Sequence, residues 1–78
     1  MTQRIREPFK RLVELLSEDM GFFFQEKEEF ERQAEKSDDM EILMVTMQIR
    51  RESEENERFD EVLELNSIIN EMVEGMGL

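Results

Sequence analysis

The feature that most constrains this chain is a repeat of apolar side chains at alternating steps of four and three residues. A sustained spacing of this kind keeps one stripe of a long α-helix facing a partner helix. The eight positions, of which only Lys27 is polar, are Phe9, Val13, Leu16, Met20, Phe23, Lys27, Phe30 and Ala34. The phase is the same on both sides of Gly21, which predicts one continuous helix over residues 8–36.

The rest of the sequence predicts a second arm that folds back on the first. Ser37, followed by Asp38 and Asp39, predicts a turn and a new helix, because a hydroxyl acceptor and first-turn carboxylates stabilise a helix start. Residues 50–58, RRESEENER, contain no apolar side chain, so a kink or break is expected at this polar waist. The expected helical segments are about 8–36, 38–52 and 56–75, with Gly75 and Gly77 ending the last one.

These patterns together predict an all-α fold: a single acidic domain over residues 1–78, formed by an antiparallel helical hairpin with a broken second arm. The phenylalanines at residues 22–24 spread over about 200° of a helix, so they cannot all face one neighbour. Methionines at helical spacing are more often core, although they also form adaptable binding surfaces. We therefore expect oligomerisation to complete the hairpin. The apolar residues expected to contact a partner or a second copy are Phe22, Phe24, Met40, Met44 and Met47.

Charge sets the second constraint. The chain has 21 acidic and 10 basic residues, a net charge of −11, which disfavours direct contact with nucleic acid because phosphates require clustered positive charge. Residues 1–11 carry four basic side chains against one acidic side chain, whereas residues 12–78 carry 20 acidic against 6 basic side chains. The basic N-terminal segment is therefore expected to pair with the acidic body of the protein or with a partner.

Composition also limits the chemistry. The chain has neither cysteine nor histidine, which removes disulfides, thiolate or imidazole metal sites and the usual pairs of nucleophile and base. We expect no catalytic residues, no cofactor and no metal. No apolar run approaches the roughly 20 residues that cross a bilayer, and no signal-peptide pattern is present. A cytoplasmic protein without a membrane partner is expected.

The leading functional hypothesis is a non-enzymatic acidic helical protein that binds and regulates or inhibits another protein. Rows of carboxylates on rigid helices can imitate the phosphates of nucleic acid at the basic surface of a nucleic-acid-binding protein. The residues predicted to form this face are Glu28, Glu31, Glu35, Asp38, Asp39, Glu57, Glu61 and Glu64. The alternative is a helical-hairpin assembly chaperone or scaffold subunit that binds through its apolar faces. Salt distinguishes the two hypotheses, because only a charge mimic loses affinity for its partner steeply as the salt concentration rises.

Overall fold

The computed structural model of the chain describes residues 1–18 and 24–78, without the side chains of Phe24 and Gln25. In these ranges the chain forms a short 3₁₀ turn and α-helices that we number α1 to α4. The 3₁₀ turn spans Gln3–Ile5, and the helices span Arg6–Glu18 (α1), Phe24–Lys36 (α2), Asp39–Glu55 (α3) and Phe59–Met76 (α4). The all-α prediction is confirmed. Within the described ranges, no helix has the length and apolar character needed to cross a membrane.

The first arm is not one continuous helix, so the prediction of a helix over residues 8–36 is wrong. The rings of Phe9 in α1 and Phe30 in α2 stack with their centroids 5.6 Å apart. In one straight helix, these residues would be separated by about 32 Å. The 4,3 spacing is a local pattern that extends over a few turns of helix. It is therefore equally compatible with two shorter helices that pack against each other, each of which carries one part of the stripe. Residues 19–23, which connect the two halves of the stripe, lie outside the described residues.

Helix α4 lies at the centre of the packing and contacts α3, α1 and the 3₁₀ turn. Its side chains Leu65, Ile68 and Met72 are almost completely inaccessible to solvent. Their spacing of three and four residues places them on one wide apolar sector, which several neighbours can cover at once. The hydrophobic core is therefore organised around the last helix in the chain, and not around the long first stripe.

The start of α3 agrees with its prediction to within one residue, but Ser37 is not the cap, since its hydroxyl donates a hydrogen bond to the Gln33 carbonyl oxygen at 3.0 Å. The carboxylate of Asp38 caps the helix by accepting a hydrogen bond from the Glu41 backbone N–H at 2.9 Å. The helix then continues through most of the polar waist and ends at Glu55. The break between α3 and α4 falls at residues 56–58, where Glu57 has a positive φ of 59°. The predicted break is therefore present, but it lies at the end of the waist.

The waist remains helical because one small residue faces inward and the charged residues face water. Ser53 is 1% exposed, and its hydroxyl has no hydrogen-bond partner in the described part of the chain. Arg50 and Glu54 form an i,i+4 ion pair at 3.4 Å. The Arg50 side chain also donates a hydrogen bond to Asn66 of α4. The waist thus packs against α4 without burying an unpaired charge.

The two C-terminal glycines have different roles. Gly77 adopts the left-handed conformation, with a φ of 76°, and caps the end of α4. Gly75 lies inside the helix, where a Cβ atom would stand 2.5 Å from the carbonyl oxygen of Arg4. Gly77 therefore ends the helix as predicted, whereas Gly75 allows the 3₁₀ turn to approach the helix backbone closely.

We predict that Leu65→Ala lowers the free energy of unfolding by about 2–5 kcal/mol, because it leaves a cavity in the centre of the core. Leu65 is 0% exposed, whereas Leu63 on the same helix is 68% exposed. Leu63→Ala is therefore the matched control, and we expect a much smaller change. Chemical denaturation of both variants measures the difference, and equal losses would show that α4 is not the centre of the core.

Candidate functional site

The basic N-terminal segment closes over the acidic body of the protein, as one of the two sequence-based interpretations expected. The Arg6 guanidinium donates two hydrogen bonds to the Glu35 carboxylate, at 2.8 and 3.1 Å. The Arg11 guanidinium pairs with Glu71 of α4. Hydrogen bonding from Arg6 holds the pKa of Glu35 below its ordinary value. Part of the acidic charge is therefore used within the fold.

Asp39 is also used internally. Its two carboxylate oxygens accept hydrogen bonds from the backbone N–H of Thr2 at 2.7 Å and from the Thr2 hydroxyl at 2.5 Å. Burial opposes ionisation of Asp39, but the two Thr2 hydrogen bonds and the positive charges of the N-terminal amine and Arg4 together lower the pKa of Asp39 below its ordinary value. Glu35 and Asp39, both predicted to form the acidic partner face, thus have contacts that hold the N-terminal segment in place.

The predicted acidic residues of α2 lie in a surrounding of mixed charge. Glu28 and Glu31 line an open cleft between α1 and α2, together with the basic residues Lys10, Lys27 and Arg32. Asp38 is exposed, but its carboxylate caps α3. These acids contribute to the negative field of the protein, yet they do not form a surface of a single sign.

A second acidic region lies where α1 crosses the start of α4. Asp60, Glu61 and Glu64 surround Leu15 of α1 in a concave site of about 230 Å³, which we call the acidic notch. The two helices run antiparallel, because Arg11 contacts Glu71 and Ser67, whereas Leu15, one turn later, lies near the first turns of α4. None of the three carboxylates forms an ion pair with the described residues. The predicted residue Glu57 is exposed just before α4.

The notch offers two kinds of contact to the same incoming side chain. Leu15 is almost fully covered and forms an apolar floor, while the carboxylates form a charged rim. Lysine and arginine side chains combine an aliphatic stem with a cationic head group, and they often bury the stem while the head group remains solvated or paired. Hydrogen bonds between such head groups and carboxylates are about twice as strong as neutral ones. The notch therefore has the chemistry to hold a basic side chain.

Sequence reasoning placed Glu61 and Glu64 in the candidate site but missed Asp60 and Leu15. A signal for Asp60 was present, since Asp60 and Glu64 are four residues apart and therefore neighbours on a helix. Leu15 had no such signal. It lies outside the 4,3 stripe, and only the crossing of α1 over α4 brings it to the three acids.

The predicted apolar contact residues divide into two groups. Met40, Met44 and Met47 are 46–62% exposed on α3, so they form surface and not core. Phe22 and the side chain of Phe24 lie outside the described residues. On α4, Phe59 and Leu63 are equally exposed but were absent from the predicted set, although the sequence shows them flanking the last apolar stripe.

We predict that Asp39 makes the protein more stable at neutral pH than at acidic pH. Because the pKa of Asp39 in the folded protein lies below its ordinary value of 3.8, its contribution is fully present above that pH and is lost as the pH falls through the lowered pKa. The difference in unfolding free energy between wild type and Asp39→Asn should therefore shrink as the pH is lowered below about 4. Denaturant titrations over a pH series measure it.

The control for Asp39 is Glu41→Gln, which removes a negative charge from the same turn of α3 but no contact with Thr2. It should change stability less than Asp39→Asn does at neutral pH. A difference between wild type and Asp39→Asn that stays constant from neutral to acidic pH would contradict the assigned role.

The comparisons with known proteins assign no function to the chain, so any assignment rests on the surfaces described above. No protein-family model matches the chain, and neither a curated protein nor a solved structure matches it significantly. In the described ranges, no group of three or more acidic side chains is arranged to hold a metal ion.

Proposed function

We propose that this chain is a non-enzymatic protein-binding module that regulates or inhibits its partner by occupying a basic surface. The acidic notch carries this proposal: three carboxylates, none of them in an ion pair with the described residues, surround an apolar floor at the crossing of two packed helices. Most of the other acids considered above have a basic neighbour or a structural role. The three notch carboxylates, by contrast, have no ion pair among the described residues, so their charge remains available to a basic partner.

The proposed partner is a protein with a nucleic-acid-binding surface. Such surfaces present clustered lysine and arginine side chains to phosphates, and the notch presents carboxylates to the same groups. Glu57 adds an exposed acid in the turn that precedes α4. The net charge of −11 adds long-range attraction, which speeds the encounter with a basic protein. The contacts made in the notch would then determine where the basic partner binds.

A second candidate function is that of a scaffold or assembly subunit that binds through apolar faces. The exposed methionines of α3 favour it, because soluble monomers rarely expose contiguous apolar surface without an interaction to match. Homo-oligomerisation belongs to this candidate. A cytoplasmic location is part of both candidates and is compatible with the lack of cysteine.

We predict that a hexa-arginine peptide binds at the notch. In a titration of ¹⁵N-labelled protein, the largest amide shifts should occur at Leu15, Asp60, Glu61 and Glu64, because these residues surround the bound side chain. Neutralising the rim with Asp60→Asn, Glu61→Gln and Glu64→Gln together should weaken binding about tenfold or more, a loss of at least ~1.4 kcal/mol. Binding should also weaken as salt rises.

The matched control removes the same number of charges elsewhere, through Glu28→Gln, Glu31→Gln and Glu52→Gln. All three residues lie outside the notch, so this variant should bind the peptide nearly as well as wild type. Circular dichroism verifies that both triple variants keep their helicity. If the two variants lose affinity equally, or if the shifts spread over all acidic residues, the protein acts through its net charge alone and the notch is not a site.

A further inference from the structure

A group of exposed apolar side chains lies on the hairpin formed by α3 and α4. Met44 and Met47 line a groove with Asn66 and Ile69 of α4. Phe59 and Leu63 precede Asn66 by seven and three residues, which places them on the same stripe of α4. Met40 precedes Met44 by one turn of α3. We call this surface the Met face, and its members are Met40, Met44, Met47, Phe59 and Leu63.

The Met face contains most of the exposed large apolar side chains that the structure describes. In the described part of the chain, seven large apolar side chains are exposed, and five of them belong to this face. The other two are Val45 and Leu78. Single exposed apolar residues are normal, whereas a cluster on one side of a small domain indicates an interface.

The charge of the groove identifies the occupant. Two arginines and two glutamates, Arg50, Arg51, Glu54 and Glu55, line it, so its charge is balanced although the chain carries −11. Two copies of this chain repel each other over most of their surfaces, and this repulsion is absent at the groove. A strongly basic partner, by contrast, would gain no attraction here and would favour the acidic regions.

The groove is also complementary to itself. Arg50 pairs with Glu54 within α3, but neither Arg51 nor Glu55 forms an ion pair with the described residues. A twofold interface brings the same patch from both copies together. Each copy then contributes one cation, Arg51, and one anion, Glu55, around a centre of methionines. Methionine side chains adapt easily to such a contact because they are flexible and unbranched.

We propose that the Met face is a homodimer interface, in which two copies pack their α3–α4 hairpins face to face about a twofold axis. The proposal does not depend on the acidic notch. Glu61 and Glu64 of the notch point at least about 100° away from Leu63 around α4, so they stay open in the dimer, whereas Asp60, three residues before Leu63, borders the Met face. Each dimer then presents two notches, which would strengthen binding to a partner with two basic sites.

The experiment is sedimentation equilibrium of the full chain over a concentration series up to about 200 µM. Wild type should sediment with twice the mass of one chain. The double variant Met44→Gln, Met47→Gln should raise the dissociation constant at least about tenfold, because it removes apolar contact from the centre of the face without changing charge. Leu63→Gln should act in the same direction from the other helix.

The matched control is the double variant Val45→Gln, Leu78→Gln, which replaces two exposed apolar residues outside the Met face and should dimerise like wild type. Salt gives a second readout: it screens the repulsion between two copies of charge −11, so the dimer should tighten as salt rises, whereas peptide binding at the notch should weaken.

Two results would overturn the proposal. The first is a wild type that remains monomeric over the whole series, which would leave the Met face to a different protein. The second is a Met44, Met47 variant that dimerises as tightly as the control, which would place the interface elsewhere. If that variant loses helicity by circular dichroism, Leu63→Gln decides the question by itself.

Discussion

The burial of α4 between three neighbours is the constraint on which the rest of the structure depends. A chain of 78 residues has little apolar surface to bury, and one central helix uses it most economically because every neighbour shares the same core. α3 and α1 cover different sides of α4, and the 3₁₀ turn covers its C-terminal end. The close approach at Gly75 shows how tightly this last contact is made.

The position of α4 also determines where charge accumulates. Because α1 crosses α4 antiparallel, Arg11 meets Glu71 near one end of the contact, and Leu15 meets three acids near the other end. The acids at the first end are partly neutralised, and those at the second are not. Arg6 and Thr2 likewise engage Glu35 and Asp39. The N-terminal segment therefore selects which part of the acidic surface stays available to a partner.

Apolar exposure and charge thus separate into two surfaces with different physical preferences. The Met face has balanced charge and exposed apolar side chains, which suits a second copy of a highly charged chain. The acidic notch repels a second copy and suits a basic partner. The charge-mimic and scaffold hypotheses therefore need not compete, since one describes the crossing of α1 and α4 and the other describes the α3–α4 hairpin.

Local signals in the sequence determined much of the secondary structure. Caps, first-turn carboxylates and left-handed glycines act within a few residues, so Gly77 ends α4 as predicted, and the cap of α3, Asp38, lies one residue after the predicted Ser37. The lack of apolar residues in the waist correctly indicated a break nearby. The position of that break was less well predicted, because the inward-facing Ser53 and the pair of Arg50 with Glu54 keep most of the waist helical.

The tertiary structure decided those features of the fold that the periodicity of apolar residues cannot specify. A 4,3 stripe states which side chains face a partner helix, but not whether one helix or two carry the stripe, and the stacking of Phe9 on Phe30 answered that question. Sequence by itself determined the all-helical class, the acidic character and the absence of cysteine and histidine chemistry. Which acids are paired, which methionines are exposed and which residues meet at the notch depend on contacts between residues far apart in the chain, and only the packing around α4 specifies those contacts.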